Sequence, residues 1–219
     1  MPSRHVVVIG STGYLGSRLI PKLIERGHPV TAIVRPGSRA RTLTGCRIVQ
    51  ADPLDAACLQ PHLHAGDTVV QLVGVPKPAP WKGPQFRAVD LVAGRASIDA
   101  AQVAPVDHFV YVSVAQPAPI MKDYIAVRRE CEDRLRASRL RATILRPWYI
   151  LGPGHWWPLA LHPVYRLMEM IPSTCEAARR LGLVSMDDML AALLWAIEYP
   201  PESIRVIEVS EIRRLGGIS

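Results

Sequence analysis

HVVVIGSTGYLGSRLIPKLIERG, residues 5–27, is the stretch whose reading decides the fold. An almost unbroken Val/Ile run leads into three glycines, and those lead into a segment with helical spacing. The run reads as a strand buried on both faces. Gly10, Gly13 and Gly16 stand at GxxGxxG spacing. A chain that turns sharply from strand to helix needs a residue without a Cβ. So does a backbone that must approach a pyrophosphate, or a helix that must lie close on its strand. The helix that follows presents free N–H groups and the positive end of its dipole to an anion. A glycine triplet alone is weak evidence, but a strand before it and a helix after it supply the context the motif requires. Gly10, Ser11, Thr12, Gly13, Tyr14, Leu15 and Gly16 are therefore the expected phosphate-binding turn.

Outward from the turn, the second strand and the loop after it read VTAIVRPGSRAR, residues 30–41. Binding of NAD calls for Asp or Glu near this strand end, on the ribose 2′-hydroxyl. From Arg26 through Ala51 there is no carboxylate. Arg35, Arg39 and Arg41 stand there instead. A carboxylate repels a 2′-phosphate, whereas a guanidinium holds it with paired N–H bonds. The expected cofactor is NADP, held by Arg35 and Arg39, against the plainer alternative of solvated loop arginines.

Further short apolar runs lie at 46–50, 68–73, 108–113 and 142–146. Helical patterns separate them at Tyr14–Arg26, Asp55–Leu63, Gln85–Val103 and Tyr124–Ser138. Such alternation predicts an α/β fold: a Rossmann-type, doubly wound parallel sheet. A last helix is expected over Met186–Glu198, with Ser185 and Asp188 as a capping-box-like start. A strand at Arg205–Val209 brings the sheet to about seven. The 219 residues are read as one domain, 1–219, with a small irregular C-terminal lobe at about 148–185, rich in Pro, Gly and Trp.

Bulk properties limit the alternatives. The four cysteines, Cys46, Cys58, Cys131 and Cys175, form no CxxC pair, so free thiols in a reducing cytoplasm are expected and no metal site. No apolar stretch is long enough to cross a bilayer, and no targeting segment is evident. The formal net charge of +7 suits a polyanion such as NADP. The arginine-rich stretch 128–141 is interleaved with Glu130, Glu132 and Asp133, the pattern of a solvated helix face. No nucleic-acid-binding motif is present.

GSTGYLG (10–16), VRPGSR (34–39), ADPLD (51–55), HFVYVS (108–113), YIAVR (124–128) and TILRPWYILGPG (143–154) occur in the order of a known superfamily. The chain resembles the atypical, extended-like short-chain dehydrogenases/reductases. Within these it is similar to NmrA-like NAD(P)-binding proteins and to the complex I accessory subunit of that fold. The resemblance implies adenine contacts at Asp52, Pro53 and Leu54. It implies that Val73 and Gly74 pass beneath the cofactor, and that Pro147, Trp148 and Tyr149 flank the nicotinamide. It also implies a Ser–Tyr–Lys proton-transfer set, matched here by Ser113, Tyr124 and, in the lysine's place, Arg128. Spacing of i, i+4 puts Tyr124 and Arg128 on one helix face. Arginine cannot join a proton relay as an amine can, but it can stabilise tyrosinate or hydrogen-bond ribose hydroxyls. Ser113 orients a substrate oxygen or merely bonds to backbone at a strand end.

Two functions stay open on these grounds. One is an NADP-dependent oxidoreductase acting on a small carbonyl or quinone-type substrate. The other is a non-catalytic NADP(H)-binding redox sensor or assembly factor. Peripheral docking to a membrane or protein partner is a further expectation, through the Trp-rich segment 155–172 (His155, Trp156 and Trp157 included), which alternatively walls the nicotinamide or packs in the core. Substrate identity and oligomeric state are not legible.

Overall fold

A computed structural model describes residues 3–38, 43–153 and 181–217. Its elements run in the expected alternation. β1 (Val6–Ile9) leads to α1 (Gly16–Glu25), β2 (Val30–Val34) and β3 (Arg47–Gln50). A short α2 (Ala56–Leu59), β4 (Thr68–Gln71) and α3 (Gly83–Gln85) follow. A π-helical stretch, Phe86–Leu91, then continues into α4 (Val92–Val103). Next come β5 (His108–Val112), α5 (Lys122–Ala137), β6 (Ala142–Arg146) and β7 (Tyr149–Leu151). β8 (Leu183–Ser185), α6 (Met186–Glu198), β9 (Ile204–Glu208) and α7 (Val209–Gly216) complete the described chain.

Seven strands form one parallel sheet in the order β3-β2-β1-β4-β5-β6-β9. The chain builds outward from β1 in one direction, then jumps to β4 and builds outward in the other. That reversal opens a crevice at the carboxyl ends of β1 and β4, the place where open α/β sheets bind ligands.

Alternation along the strands divides the core. Val6 and Val8 face one layer, with Leu19, Ile20 and Leu23 of α1, Leu193 and Ile197 of α6, and Ile212 of α7. Val7 and Ile9 face the other, with Leu59 of α2, Ile98 of α4 and Leu135 of α5. Burial on both faces is what makes the strand sequences read as continuous apolar runs. It holds for β1, β2 and β4, but the expectation fails at β3, an edge strand whose Arg47, Ile48 and Gln50 are exposed. The last strand lies at Ile204–Glu208, one residue earlier than expected.

Ser185 caps α6 through a complete capping box, its hydroxyl accepting from the Asp188 N–H while the Asp188 carboxylate accepts from Ser185 N–H. The sequence reading did not anticipate α7 or the two-stranded parallel sheet of β7 and β8. Those two strands are the described ends of the lobe expected over 148–185; residues 154–180 lie outside the described residues. Among the described residues, no helix is long and apolar enough to cross a membrane.

Candidate functional site

The glycine turn sits at the topological switch point. Gly10 has φ +89°, and a Cβ there would stand 2.8 Å from Val73 N and 2.9 Å from the Leu72 carbonyl carbon. The ends of β1 and β4 thus approach through a gap that only glycine leaves open. A Cβ on Gly16 would lie 2.8 Å from Ser11 Cα, so this glycine lets α1 start directly against the turn. Gly13 differs: it is exposed, and its Cβ would meet only the Gly10 carbonyl oxygen, at 3.1 Å. Its N–H donates to that same oxygen at 3.0 Å.

Ser11 is buried, and its hydroxyl donates to the Ile33 carbonyl at 2.6 Å, pinning the turn to β2. Thr12 beside it is exposed. Leu15 packs on the core, and the Tyr14 ring lies 4.4 Å from the Arg18 guanidinium. The first turn of α1 carries neither an acidic residue nor a side-chain cap. A helix N-terminus of this kind, behind a turn held close by glycine, fits a pyrophosphate.

At the adenosine end, Arg35 is exposed directly after β2, and its carbonyl accepts from Ser38 N–H at 3.0 Å. Arg39 and Arg41 lie outside the described residues. Asp52 folds back on its own loop, accepting from Leu54 N–H at 3.0 Å, with Pro53 buried between them.

On the other flank of the switch point, Tyr124 and Arg128 share a face of α5. The Arg128 guanidinium lies 5.0 Å from the Tyr124 ring centroid. The arginine is almost wholly buried: it donates to Asp90 Oδ1 at 2.5 Å and to the Val112 carbonyl at 3.0 Å, and its contact with the Tyr111 hydroxyl is 3.4 Å. The other Asp90 oxygen accepts from Val75 N–H at 3.0 Å. A Cβ on Gly74 would stand 2.6 Å from Arg128 Nη2 and 3.0 Å from Asp90 Oδ1. The ion pair therefore lies flat against the backbone that leaves β4, two residues from Leu72 at the glycine turn.

Burial pushes the Tyr124 hydroxyl above the ordinary tyrosine range, and the Arg128 charge offsets this only in part. Burial likewise raises the Asp90 carboxyl against the pull of Arg128. Burial opposes the Arg128 charge, but the two tyrosines and Asp90 outweigh it and the guanidinium stays cationic.

Ser113 is placed in a different network. Its hydroxyl donates to Glu132 Oε1 at 2.6 Å, and that fully buried carboxylate also accepts from Gln116, Arg136 and Arg146. Asp90 and Arg146 were not singled out from the sequence, and Glu132 was read with the arginine-rich stretch 128–141 as part of a solvated helix face, which the burial of Glu132 and Arg128 corrects. The available signal was a carboxylate within an otherwise apolar helix face, as at Asp90, but charge runs on helices usually mean solvent. Past β6, the buried Pro147 accepts from Ala115 N–H at 2.9 Å. Trp148 packs on the core and Tyr149 opens β7, opposite Leu183.

Residues 10–153 match a family model described as NAD(P)H-binding. The chain belongs to this NAD(P)H-binding family. Over 213 residues it is 26% identical to a ceramide reductase of Caulobacter vibrioides, covering 96% of this chain and 66% of that protein. Over 163 residues it is 32% identical to divinyl chlorophyllide a 8-vinyl-reductase of Oryza sativa subsp. indica, covering 65% of this chain and 39% of that protein. The chain thus spans just under two thirds of the first relative's length and well under half of the second's. Among solved structures, a putative epimerase of Burkholderia cenocepacia is 23% identical with a TM-score of 0.68, covering 99% of this chain and 82% of its own. The Bordetella bronchiseptica enzyme WbmH, in complex with NAD+, is 19% identical with a TM-score of 0.69, covering 99% and 79%. These likenesses establish the fold alone, a Rossmann-type parallel α/β sheet.

Proposed function

We propose that this protein is a cytoplasmic NADP(H)-dependent oxidoreductase that reduces a small carbonyl or quinone-type substrate. The observation that carries the reading is Arg128, lodged against Gly74 beside the glycine turn with its guanidinium 5.0 Å from the Tyr124 ring centroid. The turn residues 10–16 would hold the pyrophosphate, Arg35 and Arg39 the 2′-phosphate, and Asp52–Leu54 the adenine. Val73, Gly74 and Pro147–Tyr149 would flank the nicotinamide. The bound cofactor supplies a hydride.

The chain's own contribution is the proton. With its hydroxyl raised by burial, Tyr124 is a neutral phenol at physiological pH. The raised value makes it a weaker acid than a free tyrosine, so its use as donor rests on an acceptor oxygen that becomes alkoxide-like, which is the direction of reduction. Arg128 stands where it can stabilise the tyrosinate left behind. It stays cationic, so it does not relay the proton onward.

A second reading is a non-catalytic NADP(H)-binding sensor or assembly factor. It is favoured by the Ser113 hydroxyl being engaged by Glu132 and by Arg128 being engaged by Asp90 and Val112. NADPH oxidation screened over quinones and aldehydes separates the two. In the reductase, Tyr124→Phe lowers turnover by roughly 10²–10⁴ while NADPH affinity is nearly unchanged. Activity untouched by Tyr124→Phe would place the proton donor elsewhere, and no turnover above background across the screen would favour the binder.

A further inference from the structure

The loop after β4 reads VPKPAPWKG, residues 75–83. Its three prolines stiffen it. Lys82 Nζ donates to the carbonyls of Pro76 and Lys77, at 2.8 and 3.0 Å, and knots the loop into a compact turn. At the tip of this rigid turn Trp81 is 80% exposed. An indole carries a large apolar body and a polar N–H, and settles where one side is apolar and the other wet.

The start of α5 packs beside this loop. A Cβ on Gly83 would collide with the Asp123 carboxylate, and Arg87 pairs with the same carboxylate at 3.3 Å. Just before α5, Ile120 is 56% exposed. The charges around the two apolar side chains are lopsided. Lys77, Lys82, Arg87, Lys122 and Arg129 are exposed or half-exposed, against the carboxylates of Asp123, which Arg87 engages, and Glu130, which Arg95 engages.

A projecting Trp and Ile within a cationic rim match the interface of an anionic bilayer. The indole sits at headgroup depth, and the lysines and arginines meet lipid phosphates. We propose that the face formed by residues 76–82 and 120–122 docks the protein on anionic lipid. The proposal does not depend on the reductase reading.

Co-sedimentation of the full chain with vesicles tests it. Vesicles of equal parts phosphatidylcholine and phosphatidylglycerol should bind the protein, pure phosphatidylcholine should bind it far more weakly, and added salt should release it. Trp81→Ala should weaken binding about tenfold through lost apolar burial. Lys77→Gln and Lys122→Gln should each cost roughly fivefold. Circular dichroism and thermal melting confirm that the variants fold. Ile120→Ser gives an independent apolar test should Trp81→Ala fold poorly. Failure to sediment with anionic vesicles, equal binding to neutral ones, or wild-type binding by correctly folded variants would each overturn the proposal.

Discussion

At Arg35 a single side chain is expected to decide between two cofactors. It is exposed at the end of β2, in a stretch without carboxylates from Arg26 to Ala51. A charge-assisted bond contributes about 1.5–3 kcal/mol, or roughly 10- to 150-fold in affinity. NADPH should therefore bind at least about tenfold more tightly than NADH, and Arg35→Ala should remove most of the gap. Calorimetry at moderate salt checks this, and equal affinities in the wild-type protein would sink it. Asp90 is the other decisive single residue. Removing one partner of a buried ion pair leaves an uncompensated charge and costs about 3–5 kcal/mol. Asp90→Ala should lower stability by that order in urea unfolding, because Arg128 is then buried without its carboxylate. Loss of less than about 1 kcal/mol would mean that Val112 and Tyr111 suffice to hold Arg128.

At the scale of the element, the strand–turn–helix unit divides its glycines by task. Gly10 and Gly16 meet backbone atoms at distances no Cβ can share, so the fold needs them. Gly13 is exposed and meets only the Gly10 carbonyl oxygen, so a phosphate needs it more than the fold does. Gly13→Val should then abolish NADPH binding and leave a folded protein, whereas Gly10→Val should unfold it. Circular dichroism beside a fluorescence titration reads both outcomes. Wild-type NADPH affinity in Gly13→Val would falsify the pyrophosphate placement. The glycine spacing was legible in the sequence; the packing task of Gly10 was not, because it depends on where β4 ends.

For the whole molecule, the buried ionisable groups set the response to acid. His108 is fully buried, with Nε2 3.0 Å from Thr143 Oγ1 and Nδ1 without a hydrogen-bond partner among the described residues. A proton on Nδ1 would be an unpaired buried donor. Burial first, then the charges of Arg4, Arg141 and Arg205, lower its pKa to about 3, while Asp107 opposes them. A folded-state value below the unfolded one means that unfolding takes up a proton as pH falls. Stability is complete above the unfolded value of 6.5 and declines from there toward about 3. By about pH 4.5 the loss should reach roughly 1–3 kcal/mol. Below that, Glu132 adds to it: burial raises its carboxyl, but Arg146 and Ser113 hold it below the ordinary glutamate range. His108→Gln should flatten the decline above about pH 4.5 in denaturant titrations. An unchanged slope would assign the acid sensitivity to other groups.

What the sequence determined by itself is whatever repeats locally along the chain. Strand-to-helix alternation, the glycine triplet and the capping box at Ser185 each rest on neighbours a few residues apart. They gave the doubly wound sheet and the turn that marks its centre. Only the tertiary structure decided where the polar side chains of α5 point. Arg128 reaches Asp90, 38 residues earlier, and Ser113 reaches Glu132, 19 residues later. Both pairings form because these groups are buried together at the carboxyl ends of adjacent strands, where a polar group must find a buried partner. Sequence spacing carries no signal of that burial, since a charged residue on a helix reads the same whether it faces solvent or a buried partner.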